Sequence, residues 1–189
     1  NRYVVDYPTI FPTSYLKEHL IVETAVYIKA YPCKRMLASS LVHDYLKRNG
    51  YTELIEQYGL QPFELNVQAA ERTLVDKVFA LGDYYLSDAV HEHSRHVYDV
   101  YKLLDVVTLD DSMKALVQSV REERKPHVNC RSAKDGIDMN ALLQEIVDKA
   151  VYKQDYEDIT SKILFEEVPY VTAVAALQKI IDSGIFTLA

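Results

Sequence analysis

Long apolar runs, a disulfide framework and an excess of basic charge are all missing from this chain of 189 residues. No stretch approaches the roughly 18 consecutive apolar residues that would cross a bilayer. No charged and then apolar leader opens the sequence, so the expectation is a cytoplasmic protein without a membrane partner. The two cysteines, Cys33 and Cys130, lie far apart, which argues against disulfide stapling and for a reducing compartment. Acidic residues outnumber basic ones, 28 to 21, and the net charge is −7, so no basic arm or tail advertises a nucleic-acid partner. Bulk charge weighs against RNA, although a local patch can still bind it. Internal repeats and low-complexity segments are also absent. What is present is the ordinary balance of a globular domain: 49% apolar and 26% charged residues, enough for one sizeable core with a second helical layer. The first residue is Asn1 rather than methionine and runs almost directly into strand-like sequence, which reads as a cut.

The order of elements follows from pattern. "RYVVDY" has the aromatic and β-branched residues of a strand, and "PTIFPTS" breaks it with two prolines. "HLIVETAVYI", residues 19–28, is a second strand, expected to pair antiparallel with the first. "YPCKR" reads as another interruption, "SSLVHDYLKRNG" as a helix with a serine cap and Gly50 near its end, and "FELNV" as a strand or an extended connector. From about residue 68 the period becomes helical. Leu74, Val78, Leu81 and Tyr85 form one apolar stripe, and Val97, Val100, Tyr101, Leu104 and Val107 form another. Further helices are expected in "DSMKALVQSVREER", "NALLQEIVDKAVY", "YEDITSKILFEE" and "VTAVAALQKIIDSG". "KPHVNCRSAKDGID", residues 125–138, is the best loop and the one plausible division of the chain. The reading is α+β: a few antiparallel N-terminal strands followed by a mostly α-helical C-terminal region. Its parts are 1–67 for strands and helix, 68–124 for the helices carrying the polar motifs, and 138–189 for the terminal helices.

"HEHSRHVYDVYKLL", residues 91–104, concentrates three histidines, and imidazole is the commonest metal ligand. At about 100° per residue, His93 and His96 share a side of a helix while His91 points away, so three ligands on one rigid helix would not converge. Glu92 or a distant carboxylate could still complete a site if His91 lay in the preceding turn. The plainer reading is polar histidines at the start of a helix. Asp99, beside Arg95 and Lys102 at helical spacing, reads by itself as a solvated ion-pair face. Lys77 flanks an apolar stripe, where a lysine either snorkels outward or aims its ammonium into a cleft. The chain between Lys77 and Asp99 is long enough for the two helices to fold back and bring cation and anion together.

"ERTLVDKVFAL" followed by "HSRHVYDVYKLL" resembles the C-terminal signature of the AbiEii/AbiGii-type nucleotidyltransferase toxins, in which a lysine-bearing helix precedes an "SRHYYDLYKL"-like helix. "HLIVETAVYIKAYPCKRMLASSL" and "DYEDITSKILFEEVPYVTAVAALQKI" resemble flanking segments of the same family, so the likeness covers most of the chain. The resemblance implies a DNA polymerase β-like nucleotidyltransferase core with a helical C-terminal region. It further implies a toxin paired with an antitoxin protein, a nucleoside triphosphate (NTP) as substrate, Mg2+ as cofactor, and tRNA as an acceptor used by some members. Carried over by position, Lys77 matches the motif lysine and Asp99 the motif aspartate, with Arg95, His96 and Tyr98 as polar neighbours in nucleotide binding. Glu23, inside an apolar strand, resembles the acidic residue that completes the carboxylate and metal-binding set.

Nucleotidyl transfer uses carboxylates to hold divalent metal, cations to neutralise phosphate and an aligned hydroxyl. Lys77 would be the point charge on phosphate and Arg95 a second contact or an orienter of Asp99. Asp99 is left with three roles: holding Lys77, positioning a nucleotide group or acting on the hydroxyl. The family's Gly-Gly or Gly-Ser turn and D-x-D pair do not occur in this sequence; the nearest imitation is "DYE", Asp155 to Glu157, in a helical segment. The expectation is therefore the C-terminal portion of a nucleotidyltransferase, inactive without the carboxylate segment. The alternatives are a truncated relative acting as a nucleotide- or protein-binding regulatory module, and an unrelated helical domain.

Overall fold

The computed structural model describes residues 1–8, 19–24 and 31–187. Contacts divide the chain into two compact units, one of Asn1–Lys29 with Ala70–Ala189 and the other of Ala30–Ala69. The architecture is α+β, with two antiparallel two-stranded sheets in the N-terminal part and helices thereafter.

In the larger unit, β1 (Arg2–Asp6) pairs with β2 (His19–Glu23) in the expected antiparallel sense, with Tyr3 opposite Val22 and Val5 opposite Leu20. The rest of "HLIVETAVYI", from residue 25, lies outside the described residues. The smaller unit contains β3 (Cys33–Ala38), α1 (Leu41–Arg48), α2 (Thr52–Gln57) and β4 (Phe63–Gln68). "YPCKR" is not an interruption throughout: the break ends at Pro32, and Cys33 opens β3, whose partner β4 is the "FELNV" segment. A local reading of the proline could not register this, because the pairing that makes Cys33–Ala38 a strand is with residues far along the chain. An Arg35–Glu64 ion pair joins the two strands. Helix α1 starts where expected, with Ser40 Oγ accepting from the His43 N–H at 3.0 Å, and the chain turns after it through Gly50 at φ 77°. Helix α2 is unassigned by the sequence pattern, being too short to show a period; Ile55 is its buried residue.

The helices of the larger unit carry the core. They are α3 (Ala70–Leu86), α4 (Arg95–Leu103), α5 (Asp111–Arg124), α6 (Met139–Asp148), α7 (Lys153–Asp158) and α8 (Tyr170–Ser183). The α3 stripe is buried as its spacing requires, with Leu74, Val78 and Leu81 fully covered and Tyr85 partly covered. On α4, Val97 and Val100 are fully buried, and α4 packs on α3 and α8. Burying one such Val or Leu side chain stabilises by about 1.5–3 kcal/mol, so these stripes determine which faces of α3 and α4 meet.

Residues 125–138 are a loop in name, yet they are tightly held. They contain a single 3-10 turn, Arg131–Ala133, and Arg121 donates to the carbonyls of Ala133, Lys134 and Ile137 at 3.1, 2.8 and 3.1 Å. Gly82 makes room for this segment: a Cβ there would lie 2.8 Å from Ser132 Cβ and 2.9 Å from Met139 Cε. "YEDITSKILFEE" is not one helix. It splits into α7 and a 3-10 turn, Thr160–Ile163, because Thr160 is drawn inward to a buried hydrogen bond with Ser94 at 2.7 Å.

Candidate functional site

Packing α4 against α3 brings together the two helices singled out by their polar residues. Lys77 Nζ lies 2.8 Å from Asp99 Oδ2 and 3.1 Å from His96 Nδ1. Lys77 therefore does not snorkel away: its position on the flank of the stripe aims its ammonium at α4, while 29% of the side chain stays exposed. Its third N–H has no partner among the described residues. Asp99 does not belong to an ion-pair face with Arg95 and Lys102. Lys102 turns to Glu166 at 2.7 Å, and Arg95 is exposed with no salt bridge among the described residues. The spacing that suggested an intrahelical pair was real, but packing offered Asp99 a closer cation from another helix.

The electrostatics follow from this placement. Burial pushes the Asp99 carboxyl up, but the Lys77 ammonium that donates to it outweighs this and leaves the group below its usual range. Burial lowers His96 below the ordinary imidazole value, favouring the neutral ring. An ammonium can only donate, so the neutral ring accepts at Nδ1 from Lys77, and the same nitrogen, 3.4 Å from Asp99 Oδ2, has no proton to give the carboxylate; Lys77 bridges the two.

The other two histidines diverge. His93 stacks on Tyr84 with ring centroids 3.5 Å apart and planes 7° from parallel, and the Tyr84 ring is 5.7 Å from that of His96. His91 Nδ1 turns to Asp155 Oδ1 at 3.1 Å. Among the described residues no group of three or more His, Cys, Asp or Glu side chains is placed to hold a metal ion. Asp155, on α7, has a structural task of its own: its carboxylate accepts from the backbone N–H groups of Glu92 at 2.8 Å and Ser94 at 3.0 Å. These are donors of the turn that starts α4, so an anion from α7 clamps the helix carrying His96 and Asp99. About a third of a turn round α3 from Lys77, Arg124 bridges Asp76 at 3.1 Å and Asp83 at 2.7 Å, and Ser132 donates to Asp83 from both N and Oγ. This buried network fixes α3 against α5 and the 3-10 turn.

Of the residues expected at the site, the structure thus joins Lys77, His96 and Asp99. Arg95 is one turn before Asp99 and faces solvent. Tyr98 packs on the core beside Tyr101, with ring centroids 6.4 Å apart. Glu23 is exposed on β2, 3.8 Å from Arg2 Nε, and no hydrogen bond or ion pair connects it to Lys77 or Asp99. Sequence reasoning missed Tyr84, and it read Asp155 only as the head of the "DYE" imitation of a metal motif. The signal for Tyr84 was its spacing of seven from Lys77, two turns along the same face; nothing marked Asp155 as a clamp, because its partners are backbone groups of a distant turn.

The family model described as Nucleotidyl transferase AbiEii toxin, Type IV TA system, matches residues 3–182. Nothing among curated proteins or solved structures matches the chain. The match runs through both helices of the Lys77, His96 and Asp99 cluster and covers nearly the whole sequence, so the chain belongs to the AbiEii nucleotidyltransferase toxin family of type IV toxin–antitoxin systems.

Proposed function

We propose that this chain contacts the phosphates of a nucleoside triphosphate through Lys77, in a toxin that transfers a nucleotide from the NTP to an acceptor hydroxyl, with tRNA as the candidate acceptor. The observation that carries the reading is the Lys77 ammonium, held by Asp99 and His96 with a third N–H unengaged among the described residues. A fixed ammonium with a spare donor suits a phosphate oxygen, and fixing it beforehand removes the entropy cost of ordering a lysine on binding.

Asp99 then holds Lys77. Its carboxyl sits below its usual range, which weakens it as a base for a hydroxyl proton, and its 2.8 Å contact with Lys77 is the shortest polar contact of the cluster. His96, neutral and accepting at Nδ1, orients the same ammonium without adding charge. Magnesium supplies charge neutralisation and hydroxyl activation to this chemistry when bound. The described residues do not fit it: Asp99 is already paired with an ammonium, Glu23 faces Arg2, and the D-x-D pair is absent from the sequence. These residues therefore supply phosphate contact and orientation, and transfer needs further carboxylates.

Cys33 and Cys130 are thiols without a disulfide, which suits a cytoplasmic setting. No described helix is long and apolar enough to cross a membrane. Family membership brings an antitoxin as protein partner. Calorimetric titration with each NTP and magnesium tests the reading. Wild type binds, while Lys77→Ala loses affinity on the order of tenfold or more, as expected for a charge-assisted contact. Equal affinity in the two proteins refutes it.

A further inference from the structure

A cavity of about 580 Å³ opens on the flank of α3, between that helix and the residues that follow α5. Ala80 and Tyr84 line it from α3 and Ser87 from just beyond its end, with Arg124, Val128 and Asn129 opposite. Its volume is within the roughly 300–1,000 Å³ of small-molecule sites. Tyr84 belongs to both regions, since its ring also stacks on His93 and lies 5.7 Å from His96, the neighbour of Lys77. Seven residues separate Lys77 from Tyr84, which is about 10 Å along a helix and within roughly 20° of one face. That rise is comparable to the reach of a nucleotide from its base to its outer phosphates.

The lining suits a flat polar heterocycle. Ala80 and Val128 provide apolar surface, and Arg124 is fixed behind by Asp76 and Asp83. The Tyr84 hydroxyl, Ser87 Oγ and the Asn129 carboxamide make no hydrogen bond among the described residues. A carboxamide offers a donor and an acceptor side by side, the pattern that the edge of a nucleobase complements.

We propose that this cavity receives the base of the nucleotide whose phosphates Lys77 contacts, with Tyr84 at the junction and Asn129 reading the base edge. The proposal rests on the phosphate role of Lys77 and extends it to a second, separable contact. The test is calorimetric titration of the full chain with inorganic tripolyphosphate and with each NTP, at equal magnesium. It is repeated for Ser87→Trp, which fills the cavity from an exposed position just beyond α3, and for Asn129→Ala. Folding of each variant is checked by circular dichroism.

The expected result is that at least one NTP binds more tightly than tripolyphosphate, by tenfold to a hundredfold, on the order of a stacked and hydrogen-bonded base. Ser87→Trp removes that advantage and leaves tripolyphosphate binding intact, and Asn129→Ala narrows the differences between bases. Lys77-dependent binding of NTP and tripolyphosphate with equal affinity overturns the base site and leaves the phosphate reading standing. So does an NTP advantage that both variants retain. Absence of NTP binding by the folded wild type overturns both.

Discussion

Replacing Asp155 by alanine tests whether α4 is held from outside. The carboxylate, 8% exposed, accepts two backbone N–H groups at 2.8 and 3.0 Å at the start of α4 and contacts His91. Glu92 is exposed and its N–H can turn to water, but Ser94 is fully buried and its N–H would be orphaned. Loss of a capping anion costs about 0.5–2 kcal/mol and an orphaned buried donor about 1–3, so a destabilisation of about 2–3 kcal/mol is expected. In urea, with an m-value of about 2 kcal/mol/M, the midpoint should fall by about 1 M. Asp155→Asn keeps an acceptor and loses the charge, and should cost about half as much. Burial pushes the Asp155 carboxyl up, but its hydrogen bonds to Ser94, Glu92 and His91 prevail and hold it below the usual range. A depressed carboxylate contributes stability that is present above its unfolded value of about 3.9 and lost as pH falls through the lower folded value. The gap between wild type and Asp155→Ala should therefore be full at pH 7 and shrink in the acid range. A midpoint within about 0.2 M of wild type at pH 7, or a gap unchanged by acid, would refute the clamp.

Three further outcomes follow from the packing around α3. Gly82→Ala should gain about 1 kcal/mol of helix propensity but force its Cβ to 2.8 Å from Ser132 Cβ, so the net effect is a loss of about 1–3 kcal/mol by urea denaturation; a stabilised variant would disprove the close approach. Arg124→Met takes from buried Asp83 its only paired cation among the described residues, leaving it the Ser132 donors, while Asp76 keeps Arg72 at 3.0 Å. The change should cost about 3–5 kcal/mol, seen as a large drop in melting temperature, and a shift of a degree or two would show the network is dispensable. His96 and His93 are both lowered by burial, so the unfolded chain takes up protons first as pH drops below about 6.5, and stability should fall with it. His96→Gln should flatten that slope in denaturation series between pH 5 and 8, and an unchanged slope would locate the titration elsewhere.

Periodicity and local chemistry by themselves determined the α+β class, the positions of α3 to α6 and α8, the pairing of β1 with β2 and the Ser40 cap. Each is written in neighbouring residues: a stripe such as Leu74, Val78 and Leu81 buries the same face whatever it packs against. The motif residues Lys77 and Asp99 were legible for the same reason, as side chains of unusual placement on recognisable helices. Which partner each would take was not. Asp99 had two cations on its own helix, and only the crossing of α3 and α4 placed Lys77 nearer at 2.8 Å. β3 was hidden behind Pro32 because strand identity came from β4. "DYE", which looks like a broken metal motif, became through Asp155 the clamp on the "SRHVYDVY" helix. Hydrogen bonds to backbone and close approaches such as Gly82 to Ser132 depend on distances between segments remote in sequence, and tertiary packing alone sets those distances.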